Sequence, residues 1–411
     1  MKKSNLLIPI VDKAFRVLFG VFFFYILTKH LEQGDVGAYV YFIGFSLLFI
    51  TFVNLGVDGI VARVFSKTGN NKVLYSAFIL KGVGYFIIAI VLSLLLHFNI
   101  IKEWLYAYTF FSVFPYIFSS VEQYFIVRMR YNKVAFVGIF GTVCSFAAKL
   151  MFIKYGVDIK YLILINYLDV LIANFILIKL YLKEQGFKLS EISYVLTRLV
   201  FKAALPLCVT GVITTLYIRV DQIIIMNFLG KESNAIYGLA IKFIEPIFLV
   251  GSVMSNYYIN ELTKYSIKND CKSLVNIFSV FSWVAFFLIV LINIFGVMLL
   301  VPIFGSDYQQ AVDILNILSL TILCQFWILS SAKCLIAKKL QNFALIRNFS
   351  ALIINVVLGI YFVKYIGLYG VALSTLLSYL VASILSDIIS KQTRFLFYIK
   401  IKSLIPKRSK Q

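Results

Sequence analysis

Apolar residues gather into twelve blocks along this chain, each separated from the next by a short polar gap. The blocks fall at 8–28, 36–58, 73–97, 104–126, 134–153, 160–179, 203–229, 235–259, 274–303, 309–332, 343–363 and 367–389. Each is about 20 residues or longer, the length at which a helix rising about 1.5 Å per residue crosses a hydrocarbon core. The widest gap, roughly 180–202, lies between the sixth and seventh blocks. The pattern predicts an all-α integral membrane protein of about twelve spans. A six-helix bundle occupies 1–187, a cytoplasmic linker 188–202, a second six-helix bundle 203–390 and a basic cytoplasmic tail 391–411.

The gaps alternate in charge. The two chain ends and every second gap hold twenty-eight of the 39 cations, among them Arg63, Lys67, Arg128, Arg130, Lys264 and Lys268. The intervening gaps hold only Lys29, Lys102, Lys154, Lys160, Lys231 and Lys364. Cytoplasmic loops collect lysine and arginine, so this bias places both termini in the cytoplasm. It also accounts for the net charge of +21, because the cations are scattered through short loops and form no patch for nucleic acid.

Composition narrows the class further. At 61% hydrophobic and 14% charged residues, a soluble globule is excluded. The first apolar block has no small-residue cleavage site and reads as a retained helix. Cys144, Cys208, Cys271, Cys324 and Cys334 form no CxxC pair and predict neither disulfide nor metal site, while His30 and His97 sit alone at outer helix ends. No glycine-rich phosphate loop, metal-ligand cluster or nucleophile triad occurs, so neither an ATPase nor another enzyme is expected, and no cofactor beyond H+ or Na+ for coupling.

The two halves look like copies. Leu31-x5-Gly37-x-Tyr39 at the first hairpin recurs as Leu229-x5-Ala235-x-Tyr237 at the seventh, and Phe152-Ile153-Lys154-Tyr155 recurs as Phe362-Val363-Lys364-Tyr365. Both recurrences keep their topology, as in a parallel repeat about an axis along the membrane normal, where substrate paths run near the midplane of the repeat interface.

The segment Asp221-Gln222-Ile223-Ile224-Ile225-Met226-Asn227-Phe228-Leu229-Gly230, followed by Ala235-Ile236-Tyr237-Gly238-Leu239-Ala240, resembles the seventh-helix signature of polysaccharide-biosynthesis flippases. Leu27-Thr28-Lys29 through Gly37-Ala38-Tyr39, with Asn54-Leu55-Gly56 and Arg63, agrees with that pattern, as does Gly367-Leu368-Tyr369-Gly370 through Tyr379. The chain is similar in length and span number to the Wzx-type O-antigen flippases of the multidrug/oligosaccharidyl-lipid/polysaccharide (MOP) exporter superfamily. The resemblance implies a MATE-like fold of two pseudo-symmetric six-helix bundles in the bacterial inner membrane. It implies transport of an undecaprenyl-pyrophosphate-linked oligosaccharide, an O-antigen or similar surface-polysaccharide repeat unit, from the cytoplasmic to the outer leaflet. A cationic central cavity comes with it, as do a polysaccharide polymerase and a chain-length regulator as partners.

Five cations belong to no gap: Lys81, Lys149, Arg219, Lys242 and Arg347; Arg16 lies one or two turns inside the first block. Each costs about 2.5–3.5 kcal/mol at a helix centre, so they are expected to face a bundle interior or a watery cavity and to be candidate ligands for the pyrophosphate. Blander readings stand beside this one. Arg347 and Lys149 are near enough to helix ends to snorkel. Lys242 and Glu245, spaced i,i+3, can neutralise each other. Arg219 and Asp221 point to roughly opposite sides of their helix and cannot pair well, which favours Arg219 as a ligand. Asp58, Asp169, Asp221 and Glu245 are candidates for carrying a proton or sodium; the alternative for Asp169 is a structural pair with Lys149. Pro206 and Pro246 lie inside spans. The tail from Arg394 to Gln411 alternates cations with apolar residues, as expected of a contact with anionic lipids.

Three rival readings are weighed. A multidrug exporter of the same superfamily would want an acid-rich, cation-poor cavity, and the charges within the spans have the reverse balance. A membrane glycosyltransferase or O-antigen polymerase would want a large outer loop, and every outer gap here is short. The lipid II flippase branch carries two further spans.

Overall fold

The computed structural model describes residues 4–99, 105–186 and 193–405, and every regular element among them is helical. A chain in hydrocarbon has no water to satisfy its backbone, and a helix closes those hydrogen bonds within itself. Two compact units result. One comprises Met1–Leu31 with Ala38–Thr215, the other Glu32–Gly37 with Leu216–Gln411.

Unit one contains α1 (Ser4–His30), α2 (Gln33–Asn54) from Ala38 onward, its first turn belonging to unit two, α3 (Val57–Thr68), α4 (Lys72–His97), α5 (Leu105–Ser112), α6 (Val121–Val127), α7 (Tyr131–Lys154), α8 (Ile159–Leu164), α9 (Leu168–Gln185) and the first part of α10 (Tyr194–Phe228). Unit two holds the rest of α10, then α11 (Lys231–Tyr257), α12 (Ile259–Ile267), α13 (Cys271–Phe304), α14 (Gln309–Ser319), α15 (Thr321–Ala337), α16 (Gln341–Ile366), α17 (Leu368–Leu380), α18 (Ser386–Ile389) and α19 (Arg394–Ser403). Among the described residues, 11 helical stretches are long and apolar enough to cross a membrane. α1 has the length for a twelfth at 27 residues, but its first half carries Asp12, Lys13 and Arg16.

Two expectations change in detail. The fourth and sixth spans are interrupted: a 3-10 turn at Phe114–Phe118 separates α5 from α6, and another at Ile165–Tyr167 separates α8 from α9. The expected linker over 188–202 is helical from Tyr194 onward, as part of the 35-residue α10; residues 188–192 lie outside the described residues. In the expected tail, α19 is folded, and residues 406–411 lie outside the described residues.

The order of elements repeats. A short amphipathic helix follows the second long helix of each set, α3 after α2 and α12 after α11, before the next long helix begins. In α3, Gly56 at φ 68° lets the chain turn at the start, and Gly69 at φ 63° ends the helix by donating its N–H to the Phe65 carbonyl. Val57, Val61 and Phe65, four apart, form its buried stripe, while Arg63, Ser66 and Lys67 face outward. α13 is capped by Asp270, which accepts from the Ser273 N–H at 3.1 Å and the Ser273 hydroxyl at 2.6 Å. Those bonds hold the Asp270 carboxyl below its ordinary range.

The Leu-x5-Gly-x-Tyr hairpin has a steric reason. A Cβ on Gly37 would lie 1.8 Å from the Lys231 carbonyl oxygen, and Asn234 donates to the Gly37 carbonyl at 2.9 Å. Within unit one, α7 and α9 approach as closely: a Cβ on Gly141 would meet the Asp169 carbonyl oxygen at 2.6 Å.

Candidate functional site: polar clusters inside the two units

In unit one, the interrupted spans bring polar groups into the bundle. A helix break frees backbone groups that need partners, and Asn174 Nδ2 donates to the Pro115 carbonyl at 2.9 Å. The Tyr116 and Tyr167 rings meet edge to face at 5.6 Å, one from each break. Beside the second break, Asn166 Oδ1 accepts from Tyr39 Oη at 2.5 Å and from Lys149 Nζ at 3.1 Å, and the Asn166 carbonyl also accepts from Lys149.

Arg16 reaches into this region from α1. Its Nε donates to Asp12 Oδ1 at 3.1 Å, and Nη1 lies 3.8 Å from Asp169 Oδ2. Gly138 makes room for the guanidinium, since a Cβ there would sit 2.1 Å from Arg16 Nη2. The Asp169–Lys149 pair weighed from sequence is therefore not formed: Arg16 approaches Asp169, and Lys149 bonds to Asn166 instead. The second oxygen of Asp169 is buried with no hydrogen-bond partner.

Lys81 is fully buried and bound to Asp58 by both oxygens, at 2.7 and 2.9 Å, with Ser119 Oγ at 2.7 Å. Ser120 also donates to Asp58, at 2.6 Å, so the serines at the end of the first break complete the pair. Glu122, two residues further on in the first turn of α6, is half-buried and has no ion-pair partner within 4 Å among the described residues. Sequence reasoning missed it, although its place inside an apolar block was signal enough. Unit one thus gathers four carboxylates, Asp12, Asp58, Glu122 and Asp169, against Arg16, Lys81 and Lys149.

Unit two holds the remaining candidates. Arg219 Nη2 lies 2.5 Å from Glu245 Oε1, and Lys242 stands 4.0 Å from the other oxygen of Glu245. Glu245 therefore serves two cations, and α10 and α11 are tied by charge. Asp221 accepts from Tyr237 Oη at 2.6 Å, so Arg219 and Asp221, expected on opposite sides of α10, both reach side chains of α11; Tyr237 in turn meets Thr375 Oγ1 at 3.2 Å. Asp221, Tyr237, Glu245, Thr321, Thr375 and Tyr379 line a cavity of about 50 Å³ whose remaining wall is apolar. A small cavity with a carboxylate, hydroxyls and apolar walls suits a small cation.

Arg347 is 4% exposed, donates to Ser331 Oγ at 3.1 Å, and keeps a buried Nε without a hydrogen-bond partner. A second fully buried cation went unnoticed in the sequence. Lys400 of α19 bonds to Asp387 Oδ2 and to the Ser383 carbonyl, both at 2.6 Å. Burial lowers the Lys400 ammonium from its usual value, and the Asp387 charge works against that shift. Arg16, at 33% side-chain exposure, and Lys242, at 34%, keep access to the surroundings; Lys149 is half-buried, Arg219 keeps 14%, and Arg347 and Lys81 are buried.

No protein-family model matches the chain, and no curated protein matches it in sequence. Solved structures do. The lipid II flippase MurJ, in an inward closed conformation, is 18% identical with a TM-score of 0.75, covering 97% of this chain and 90% of that one. A multidrug-resistance MATE transporter of the MOP superfamily, inward-facing, is 12% identical with a TM-score of 0.70, covering 95% and 96%. A MOP-superfamily transporter from Pyrococcus furiosus, whose structure is described as having a binding pocket of reversed polarity, is 14% identical with a TM-score of 0.65, covering 96% and 98%. The chain has the fold of MOP-superfamily transporters and flippases, a multi-pass membrane architecture, and these structural neighbours are transporters, not enzymes.

Proposed function

We propose that this chain is a flippase that carries an undecaprenyl-pyrophosphate-linked oligosaccharide across the bacterial inner membrane by alternating access, with both termini cytoplasmic. The observation that carries the reading is the pairing of a MOP-transporter fold with partly exposed intramembrane cations at Arg16 and Lys242. Arginine offers a pyrophosphate a planar fork and lysine a point charge. Arg219 joins them by exchanging Glu245 for the headgroup, since Lys242 is placed to neutralise Glu245 when Arg219 lets go. Lys81 braces unit one from inside and Arg347 braces unit two, each through partners in its own unit, and Lys149 positions the second break.

Coupling is assigned to carboxylates. Asp221 faces the cavity in unit two, where a proton or sodium would supply the positive charge that the neutral Tyr237 hydroxyl does not. Asp169, with one buried oxygen unpartnered, is the candidate in unit one. The reading takes a surface-polysaccharide repeat unit as the sugar, and a polymerase and a chain-length regulator as partners. The likeness to a lipid II flippase along nearly the whole chain supports a polyprenyl-pyrophosphate cargo of some kind, the chemistry that an O-antigen carrier shares with it.

One observation favours a second reading. Acids outnumber cations in the unit-one cluster, and a multidrug exporter for organic cations would use such a surplus. Binding separates the two. Native mass spectrometry of the purified chain with undecaprenyl-pyrophosphate oligosaccharide, undecaprenyl monophosphate and a lipophilic organic cation should show adducts with the first, weaker ones with the second and none with the third. Adducts with the organic cation alone would replace the flippase reading with the exporter.

A further inference from the structure

α19 is sealed on one side and unpartnered on the other. Leu396, Ile399, Lys400 and Ser403 form its buried row. That row is keyed in place by polar bonds: Ser403 Oγ meets Ser282 Oγ of α13 at 2.8 Å, Trp327 Nε1 donates to Ser282 Oγ at 2.9 Å, and Lys400 reaches Asp387. Thr393 Oγ1 donates to the Asp387 carbonyl at 3.0 Å, closing the turn that leads from α18 into α19. The helix therefore has one fixed orientation on unit two.

At about 100° per residue, Arg394, Tyr398 and Ile401 fall on the face opposite the buried row, and Ile405 follows two residues past the helix end. Tyr398 is 51% exposed, Ile401 41% and Ile405 65%, while Lys391, Arg394 and Lys402 are exposed beside them. Lys402 Nζ lies 4.2 Å from the Tyr398 ring centre, and Lys338, from the turn before α16, lies 3.8 Å from the Phe395 ring. An apolar stripe with cations at its margin is costly in bulk water and fits the boundary where acyl chains meet headgroups. The charge names the headgroup. Asp387 is the last acid in the sequence, and the residues after it hold seven cations and no carboxylate.

We propose that α19 lies in the plane of the membrane interface and binds an anionic phospholipid surface through Lys391, Arg394 and Lys402, with Tyr398, Ile401 and Ile405 among the acyl chains. The contact is independent of the transported substrate. Because Lys400 binds Asp387 next to the π-helical segment Val381–Leu385, lipid engaged on the outer face clamps the end of the last span.

Hydrogen–deuterium exchange of the 394–405 segment tests this on the full chain in nanodiscs. One set holds phosphatidylcholine alone, the other about 30% phosphatidylglycerol. Exchange should slow by about fivefold per engaged cation in the anionic discs, the fold-change expected for one cation at an anionic surface. It should return toward the neutral-disc rate in about 0.5 M NaCl and in the variant Lys391→Gln/Arg394→Gln/Lys402→Gln. Lys391 and Lys402 are exposed, and Arg394 also donates from Nε to the Ile388 carbonyl at 3.0 Å. Lys391→Gln/Lys402→Gln, which spares that bond, should therefore melt with the wild type in detergent and lose most of the protection; Ile401→Ser, in turn, should speed exchange in both discs. Equal exchange in neutral and anionic discs overturns the proposal, as does protection in anionic discs that survives the triple substitution. Protection that needs an added acidic protein would assign the face to a protein partner and overturn it as well.

Discussion

Lys81 grips Asp58 with one ammonium on both carboxylate oxygens, at 2.7 and 2.9 Å, and Ser119 and Ser120 close the remaining bonds. Read singly along the chain, one residue is a substrate ligand and the other an ion carrier. Together they are a buried pair that joins α3 to α4 and to the break in the fourth span. Removing one partner strands the other's charge, which is worse than removing both. Lys81→Met should destabilise unit one by about 2–3 kcal/mol, the low side of the usual loss because Asp58 keeps 29% exposure. The double variant Lys81→Met/Asp58→Asn should regain more than half of that loss. Thermal unfolding in nanodiscs checks both.

Gly138 and Arg16 supply a separate handle. An alanine methyl at 138 would displace the end of a flexible guanidinium and not a backbone. Gly138→Ala should therefore weaken headgroup binding about as much as Arg16→Ala does, with little change in melting. Loss of folding, or unchanged binding, would show that the Arg16 position is not used for cargo.

Gly37 predicts the opposite balance. A methyl 1.8 Å from the Lys231 carbonyl has only backbone to push against, so Gly37→Ala should cost about 2–3 kcal/mol or more. Gly59 in α3 has nothing within 4 Å of its Cβ position, and Gly59→Ala should be neutral or stabilise by up to about 1 kcal/mol. Melting curves of the two variants side by side decide it.

Much of this architecture was legible in the sequence, because length, hydropathy and the paired Gly37 and Ala235 hairpins are local signals. The breaks at Phe114–Phe118 and Ile165–Tyr167 went unread, although Pro115, which cannot donate to a helix ladder, marks the first and Asn166 the second. Pairing was legible only at helix spacing, as for Lys242 with Glu245. Lys81 with Asp58, Arg219 with Glu245 and Lys400 with Asp387 lie 23, 26 and 13 residues apart, so their meeting depends on how helices pack. Glu122 was within reach, and counting acids as carefully as cations inside each block would have found it.

Coupling has its own test. If Asp221 carries the coupling ion, Asp221→Asn should transport at the same rate with or without an imposed pH or sodium gradient, where the wild type responds to one of them. Tyr237→Phe should keep the response with a shifted ion affinity, because it removes the donor and leaves the carboxylate. Asp169→Asn that transports like the wild type when the gradient is collapsed, and still responds when it is restored, would remove unit one from the coupling scheme.

Translocation of a polyprenyl-pyrophosphate sugar is read out as leaflet accessibility in proteoliposomes. Undecaprenyl-pyrophosphate oligosaccharide is placed on one side, and a membrane-impermeant sugar-modifying reagent on the other reports its arrival. The wild type should expose the oligosaccharide well above protein-free vesicles, and Arg16→Ala and Arg219→Ala should lower the rate at least about tenfold, the loss of one charge-assisted phosphate contact. A wild-type rate equal to that of empty vesicles would contradict the account.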